Sequence, residues 1–224
     1  MKKNSVNAVV VTGLLAAMGS VQAEESGLGI GVGVRGSTLG AGIEVGKSFT
    51  DFFSARLGLN KYSTSSTQSI DNVDYDASLD LQSTALLLDW HPFAGSFHLT
   101  AGYLNSGNEM TAHATPTGSV DIGGQVVTPA SAGDLVLDGN VKLGSGPYLG
   151  LGWGNVPASG FGFVFEVGVV QMGTPDVTLD ISGDPTYTSQ IDQTEKDQEI
   201  ANMKADLNQF DTYPVVAIGI SYGF

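Results

Sequence analysis

Eight stretches of the chain alternate large apolar residues with glycine or other small residues. A period of two is the signature of a strand, whose successive side chains point to opposite faces. The last stretch, residues 213 to 224, shows it most plainly. Val216, Ile218, Ile220, Tyr222 and Phe224 share one face, and Val215, Ala217, Gly219, Ser221 and Gly223 share the other.

The remaining stretches repeat this scheme. Leu28, Ile30, Val32 and Val34 oppose Gly29, Gly31, Gly33 and Arg35. Ala41, Ile43 and Val45 oppose Gly42, Glu44, Gly46 and Ser48, and Phe53, Ala55, Leu57 and Leu59 oppose Ser54, Arg56, Gly58 and Asn60. A fourth stretch, from about Tyr75 to Trp90, alternates weakly because Leu86, Leu87 and Leu88 are continuous, and a bulge there would shift the register. Phe97, Leu99, Ala101 and Tyr103 form the fifth row, and Leu149, Leu151 and Trp153 the sixth. Phe161, Phe163, Phe165, Val167 and Val169 form the seventh, opposite Gly162, Val164, Glu166, Gly168 and Val170.

An even number of such strands, most near the roughly 9–11 residues a tilted spanning strand needs, predicts a closed antiparallel barrel. The links support it. Those at 50–52, 91–96 and 155–160 are short, whereas those at about 63–75, 109–140 and 175–212 are long. Short turns at one end and long loops at the other are the pattern of transmembrane barrels, with the short turns periplasmic.

The two faces decide which side is wet. A soluble barrel needs many charges outside. Here the small face carries only the isolated charges Arg35, Glu44, Arg56 and Glu166. Turned inward, it suits a narrow lumen, in which Arg35 and Arg56 pair with Glu44 and Glu166, and Asp89 is a further candidate. Phe49, Phe52, Phe53, Trp90, Phe93, Phe97, Trp153, Phe161 and Phe224 fall at the short-turn ends. They predict an aromatic girdle at one membrane interface.

Residues 1–23 read as a secretory signal peptide, leaving 24–224 as the barrel. Lys2 and Lys3 precede an apolar run from Ala8 to Met18, and Val21-Gln22-Ala23 supplies small residues before a cut. The chain has no cysteine, which excludes disulfides. Nine Lys and Arg against 23 Asp and Glu exclude the cation clusters that nucleic-acid binding requires.

Acid gathers in the long loops. Asp71, Asp74, Asp76 and Asp80 surround one, and Asp176, Asp180, Asp184, Asp192, Glu195, Asp197, Glu199, Asp206 and Asp211 lie in or beside another. This reads as a solvated face, or as a negative mouth that concentrates cations and amine-bearing zwitterions. The spacing Asp71, Asp74, Asp76 lacks the glycine and distal glutamate of a calcium loop. Ile200, Met203, Leu207 and Phe210 recur at helical spacing after an Asp192…Glu195 start signal. Such a helix either packs across or partly into the mouth, or forms a lid with no transport role.

Nothing in the sequence argues for catalysis or a cofactor. The three histidines, His91, His98 and His113, are scattered, and no base and nucleophile stand in a recognisable arrangement. The run from Gly27 to Gly31 continues as a strand and opens no helix, so it is no nucleotide loop.

Four stretches resemble small eight-stranded outer-membrane proteins of the CarO type and, more distantly, the OmpW type. They are LLLDWHPFAGSFHLTAGYL, PYLGLGWG, GFGFVFEVGVVQMGTPDVTL and PVVAIGISYGF, and DQEIANMKADLNQF is similar in placement. The resemblance implies an outer-membrane barrel in contact with lipid and lipopolysaccharide, which passes small solutes, basic or small amino acids among them. With the acidic loops and small-residue lumen, the expectation is a narrow passive channel for small cationic or zwitterionic solutes. The alternative is a non-conducting barrel acting through its acidic loops. Tyr222 and Phe224 resemble the terminal signal read by the barrel-assembly machinery.

Overall fold

The computed structural model describes residues 29–70, 73–207 and 211–224. The expected signal peptide, Leu28, Asp71 and Phe210 lie outside the described residues.

Eight antiparallel strands close a barrel. In chain order they are β1 (Ile30–Ser37), β2 (Gly40–Thr50), β3 (Phe53–Ile70), β4 (Val73–Trp90), β5 (Phe97–Ser106), β10 (Gly146–Trp153), β11 (Gly160–Gln171) and β13 (Thr212–Gly223). Each pairs with the next, β5 with β10 and β11 with β13, and β13 returns to β1 with Val32 opposite Tyr222. Closure leaves the spanning part without an open edge, the condition for a sheet in lipid.

Alternation fixes the faces. Val34, Ile43, Val45, Leu57, Leu86, Leu149, Phe163 and Ile218 point outward and are exposed, Phe163 to 83%. An apolar band of this extent has lipid as its natural solvent. The aromatic residues cluster at the short-turn end, where Phe97 stacks edge-on against Trp153 with centroids 5.1 Å apart. Phe161 meets Tyr222 at 5.1 Å, and Tyr222 meets Phe224 at 5.2 Å.

No bulge interrupts β4 at Leu86–Leu88. The β3–β4 ladder runs unbroken from Phe53↔Trp90 to Ile70↔Val73. Leu86 and Leu88 face outward and Leu87 is buried inside, so an apolar plug in the lumen explains the continuous run. The register shift lies instead in β2, between Ser48 and Thr50.

The long links are not loops. β3 and β4 are 18 residues each, and their upper halves rise past the barrel. There β4 pairs with β6 (Glu109–Pro116), β6 with β9 (Leu135–Lys142), and β9 with β12 (Asp176–Gly183). A hairpin of β7 (Val120–Ile122) and β8 (Gln125–Val127) and two helices, α1 (Pro185–Thr188) and α2 (Gln193–Leu207), complete this end. Ile122, Val127, Leu135 and Leu179 form its buried core, with Tyr187, Ile191 and Ile200 packed against it. The helix predicted around Ile200 is therefore present, and it seats against this sheet, not down the lumen. Its start is a capping box: Thr194 N donates to Asp192 Oδ1 at 2.6 Å, and Asp192 N donates to Glu195 Oε2 at 3.0 Å.

Candidate functional site

The lumen is the first place to look for a function, and it is filled in three layers. The lowest comes from the link between β10 and β11. Val156 is 2% exposed and lies under Gly31 and Gly46. A Cβ at Gly31 would stand 1.9 Å from the Val156 carbonyl oxygen, so only glycine lets the link tuck into the barrel floor.

The middle layer is charged. Arg56, on β3, is its hub. Its Nε and Nη2 reach Asp89 at 2.6 and 2.8 Å, its Nη1 reaches Glu44 Oε2 at 3.2 Å, and its Nη2 reaches Glu166 Oε2 at 2.5 Å. Arg35 Nη1 donates to the same Glu44 oxygen at 3.3 Å, and its Nε donates to Asn60 Oδ1 at 3.4 Å. Thr100 Oγ1 donates to Asp89 at 2.7 Å. The four lumen charges singled out from sequence thus meet in one cluster, with Asp89 as a full member. Buried charges persist only when paired and hydrogen-bonded, and each carboxylate here has such partners.

Tyr148 was missed in the sequence. It stands on the glycine face of β10, and its hydroxyl donates to Glu166 Oε1. Its ring fills the space that Gly150 and Gly168 leave, and it belongs to the third layer, an apolar cluster with Leu39, Ala85, Leu87, Leu104, Val170, Met172 and Val215. The sequence clue was the two glycines around it: Gly150 lies two residues on along β10, and Gly168 lies two residues from Val170, the direct partner of Tyr148.

The lumen glycines do not leave open space, since several of them admit a large neighbour. Gly58 lies against Arg35, Gly33 against Glu44, and Gly152 against His98.

His91 and His98 are neighbours, with ring centroids 5.4 Å apart, and only His113 stands apart. His98 is buried, and its Nδ1 lies 3.0 Å from the Gly154 carbonyl oxygen while Nε2 stands 3.6 Å from Glu166. His91 lies 3.4 Å from Ser54 Oγ, but its other ring nitrogen is held by the Gly95 carbonyl and Ser54 is 1% exposed. That pair has no room for a substrate. His113 is far from both, on the upper sheet, 2.7 Å from Asp138. Among the described residues, no group of three or more His, Asp or Glu side chains has the geometry of a metal site.

The upper sheet is the second place to look. Directly opposite residues share a face, so one face carries three cross-strand rows. They are Asp80, Glu109, Lys142 and Asp176; then Ser78, Thr111, Asn140 and Thr178; then Asp76, His113, Asp138 and Asp180. Within this grid six carboxylates face one lysine and one histidine. From α2, Lys204 approaches Asp176 at 3.9 Å and Lys196 approaches Asp180 at 3.4 Å. The face remains acidic and open, with Asp180 85% exposed. Of the acid expected in the long loops, Asp76, Asp80, Asp176 and Asp180 are thus arrayed on a sheet, while Glu195, Asp197, Glu199 and Asp206 lie on α2.

Two solved structures share this architecture. The crystal structure of CarO2 from Acinetobacter baumannii superposes with a TM-score of 0.57 at 22% identity, covering 87% of this chain and 98% of that one. That of CarO from the same organism superposes with a TM-score of 0.57 at 20% identity, covering 91% and 100%. This chain has the CarO fold. No protein-family model and no curated protein matches its sequence. At such identity the likeness concerns the CarO-like barrel itself, and the filling of the lumen and the acidic sheet are read from this chain's own residues.

Proposed function

We propose that this protein is an outer-membrane barrel whose lumen is sealed and whose function lies in the sheet-and-helix module at its long-loop end. The filled lumen carries this reading: floor, charge cluster and apolar plug lie one above another along the axis. The apolar outer band and the CarO fold support an outer-membrane location, with the short turns in the periplasm and the module outside. Export by the signal peptide, folding by the barrel-assembly machinery through Tyr222 and Phe224, and contact with lipopolysaccharide belong to the same proposal. It includes no catalytic chemistry and no cofactor.

The test is solute uptake. Purified protein in liposomes should pass labelled lysine, arginine and glycine no faster than empty liposomes. Uptake above that background would overturn the sealed-barrel reading in favour of the second one, a narrow channel for small cationic or zwitterionic solutes. The acidic module favours that second reading, because it raises the local concentration of cations. It requires Arg56 and Tyr148 to leave their partners.

A further inference from the structure

The upper sheet has two edges, and they are treated differently. At one, β12 is flanked by α2, which sends Lys196 and Lys204 to it. At the other, β3 outruns its neighbour. The β2–β3 ladder ends at Ala41↔Lys61, while β3 continues to Ile70, paired on its other side to β4. Among the described residues, no strand covers the outer side of Tyr62–Ile70.

Exposed edges are usually guarded by charge, proline, a bulge or a covering element. None of the first three protects this one. Residues 62–70 read YSTSSTQSI, with no charge and no proline, and their register with β4 is unbroken. The side chains from Tyr62 to Thr67 are exposed. Along such an edge every second residue turns its N–H and C=O outward; His91 N donates to Phe52 O in the same register, so Ser63, Ser65 and Thr67 are the ones that face away from β4.

Charge says what kind of strand. Ser63, Ser65 and Thr67 stand opposite Asp80, Ser78 and Asp76, on the acidic face of the sheet. Thr67 Oγ1 donates to Asp76 Oδ1 at 2.5 Å, confirming that shared face. A strand added to β3 would lie about 10 Å from β4, two strand spacings. A lysine or arginine side chain spans most of that distance, and the remainder is within about one Debye length. At the foot of the edge, a cavity of about 290 Å³ lined by Ser37, Thr38, Ala41, Tyr62 and Leu81 offers room for one apolar side chain. A second copy of this chain is a poor occupant, since its own module is equally acidic.

We propose that the upper edge of β3 binds an extended cationic peptide by strand addition, with lysine or arginine at alternate positions facing the carboxylate grid. The inference rests on the module being the functional part of the protein. Main-chain hydrogen bonds supply affinity, and the alternate cations supply selectivity.

The test uses the full chain in detergent and a nine-residue peptide alternating lysine with threonine and valine. A second peptide of the same sequence carries N-methyl groups on alternate amides, which removes donors and keeps charge. Binding is read by fluorescence anisotropy. The expected result is binding that weakens about tenfold on N-methylation and about tenfold in the Asp76→Asn/Asp80→Asn variant. Neither change asks the barrel to refold. A Ser65→Pro variant, checked for intact heat-modifiable migration, should also bind weakly. Equal binding of both peptides would overturn strand addition, and no binding of either would overturn the whole inference. Either failure beside absent solute uptake leaves the sealed-barrel reading intact, so the two proposals fail separately.

Discussion

Arg56 Nη2 lies 2.5 Å from Glu166 Oε2, and this contact ties β3 to β11 through the barrel interior, across 110 residues of sequence. The same guanidinium holds Asp89 and Glu44, and all four side chains are 2–3% exposed. Removing one side of a buried ion pair costs about 3–5 kcal/mol, because the partner stays buried without compensation. Arg56→Met should therefore unfold markedly more easily, read as a lower transition temperature in heat-modifiability gels. Arg56→Lys keeps the charge and loses the planar fork, and should fall between. An unchanged transition in Arg56→Met would show that the cluster does not hold the barrel together.

Tyr148 joins the charged layer to the apolar one, so its two parts can be removed separately. Tyr148→Phe keeps the ring and leaves Glu166 Oε1 without its hydroxyl donor. A lost partner of a buried acceptor costs about 1–3 kcal/mol. Tyr148→Ala also empties the space opposite Gly150 and Gly168, and large aromatic truncations cost about 3–5 kcal/mol. The ranking wild type, Phe, Ala should appear in urea unfolding in lipid vesicles. A Tyr148→Phe/Glu166→Gln cycle should show coupling of about 0.5–3 kcal/mol, and strict additivity would mean the hydroxyl and carboxylate do not interact.

The floor of the barrel makes a sharper demand on sequence. Because Gly31 has no Cβ, the Val156 carbonyl can approach it closely. Gly31→Val should expel the link from Asn155 to Ala158 from the floor. The chain has no cysteine, so a single Val156→Cys reporter gives a clean signal. Maleimide labelling of that reporter should be slow in the parent barrel and rise by about tenfold beside Gly31→Val. Equal labelling in both backgrounds would mean that Val156 is not sheltered.

These contrasts mark what the sequence made legible. Period two identified all eight spanning strands, because lipid outside and a narrow lumen inside impose opposite demands on alternate residues. The lumen charges stood out for the same reason: Arg35, Glu44, Arg56 and Glu166 interrupt rows of small residues. What the small residues meant was not legible. A glycine row is compatible with open space or with a large partner, and only the cross-strand register shows that Tyr148, Arg35 and Val156 occupy it. The upper half of β4 was legible inside the stretch from Tyr75 to Trp90, but its partner was not: β6 sets Met110, Ala112 and Ala114 against Thr111 and His113, an apolar row too weak to read as a strand. The helix was legible from its capping signal, since Asp192 and Glu195 act locally.

That cap also gives a pH dependence. The carboxyl of Asp192 is held below its usual 3.8 by the hydrogen bond shared with Glu195 and by the backbone N–H of Thr194. A carboxylate with a lowered value in the folded state binds fewer protons there than when the helix is frayed. Its contribution is therefore fully present above 3.8 and is lost as pH falls through the lower, folded value. The first turn of α2 should accordingly lose helical ¹³Cα shifts at Thr194, Glu195 and Lys196 as the solution is acidified below 3.8, while the barrel strands stay unchanged. Asp192→Asn keeps an acceptor at the cap without a titrating charge, so its first turn should persist further into acid. Asp192→Ala removes the acceptor, and its first turn should fray at every pH. Coincident curves for the wild type and Asp192→Asn would assign the acid response to another group and leave Asp192 as a pH-independent cap.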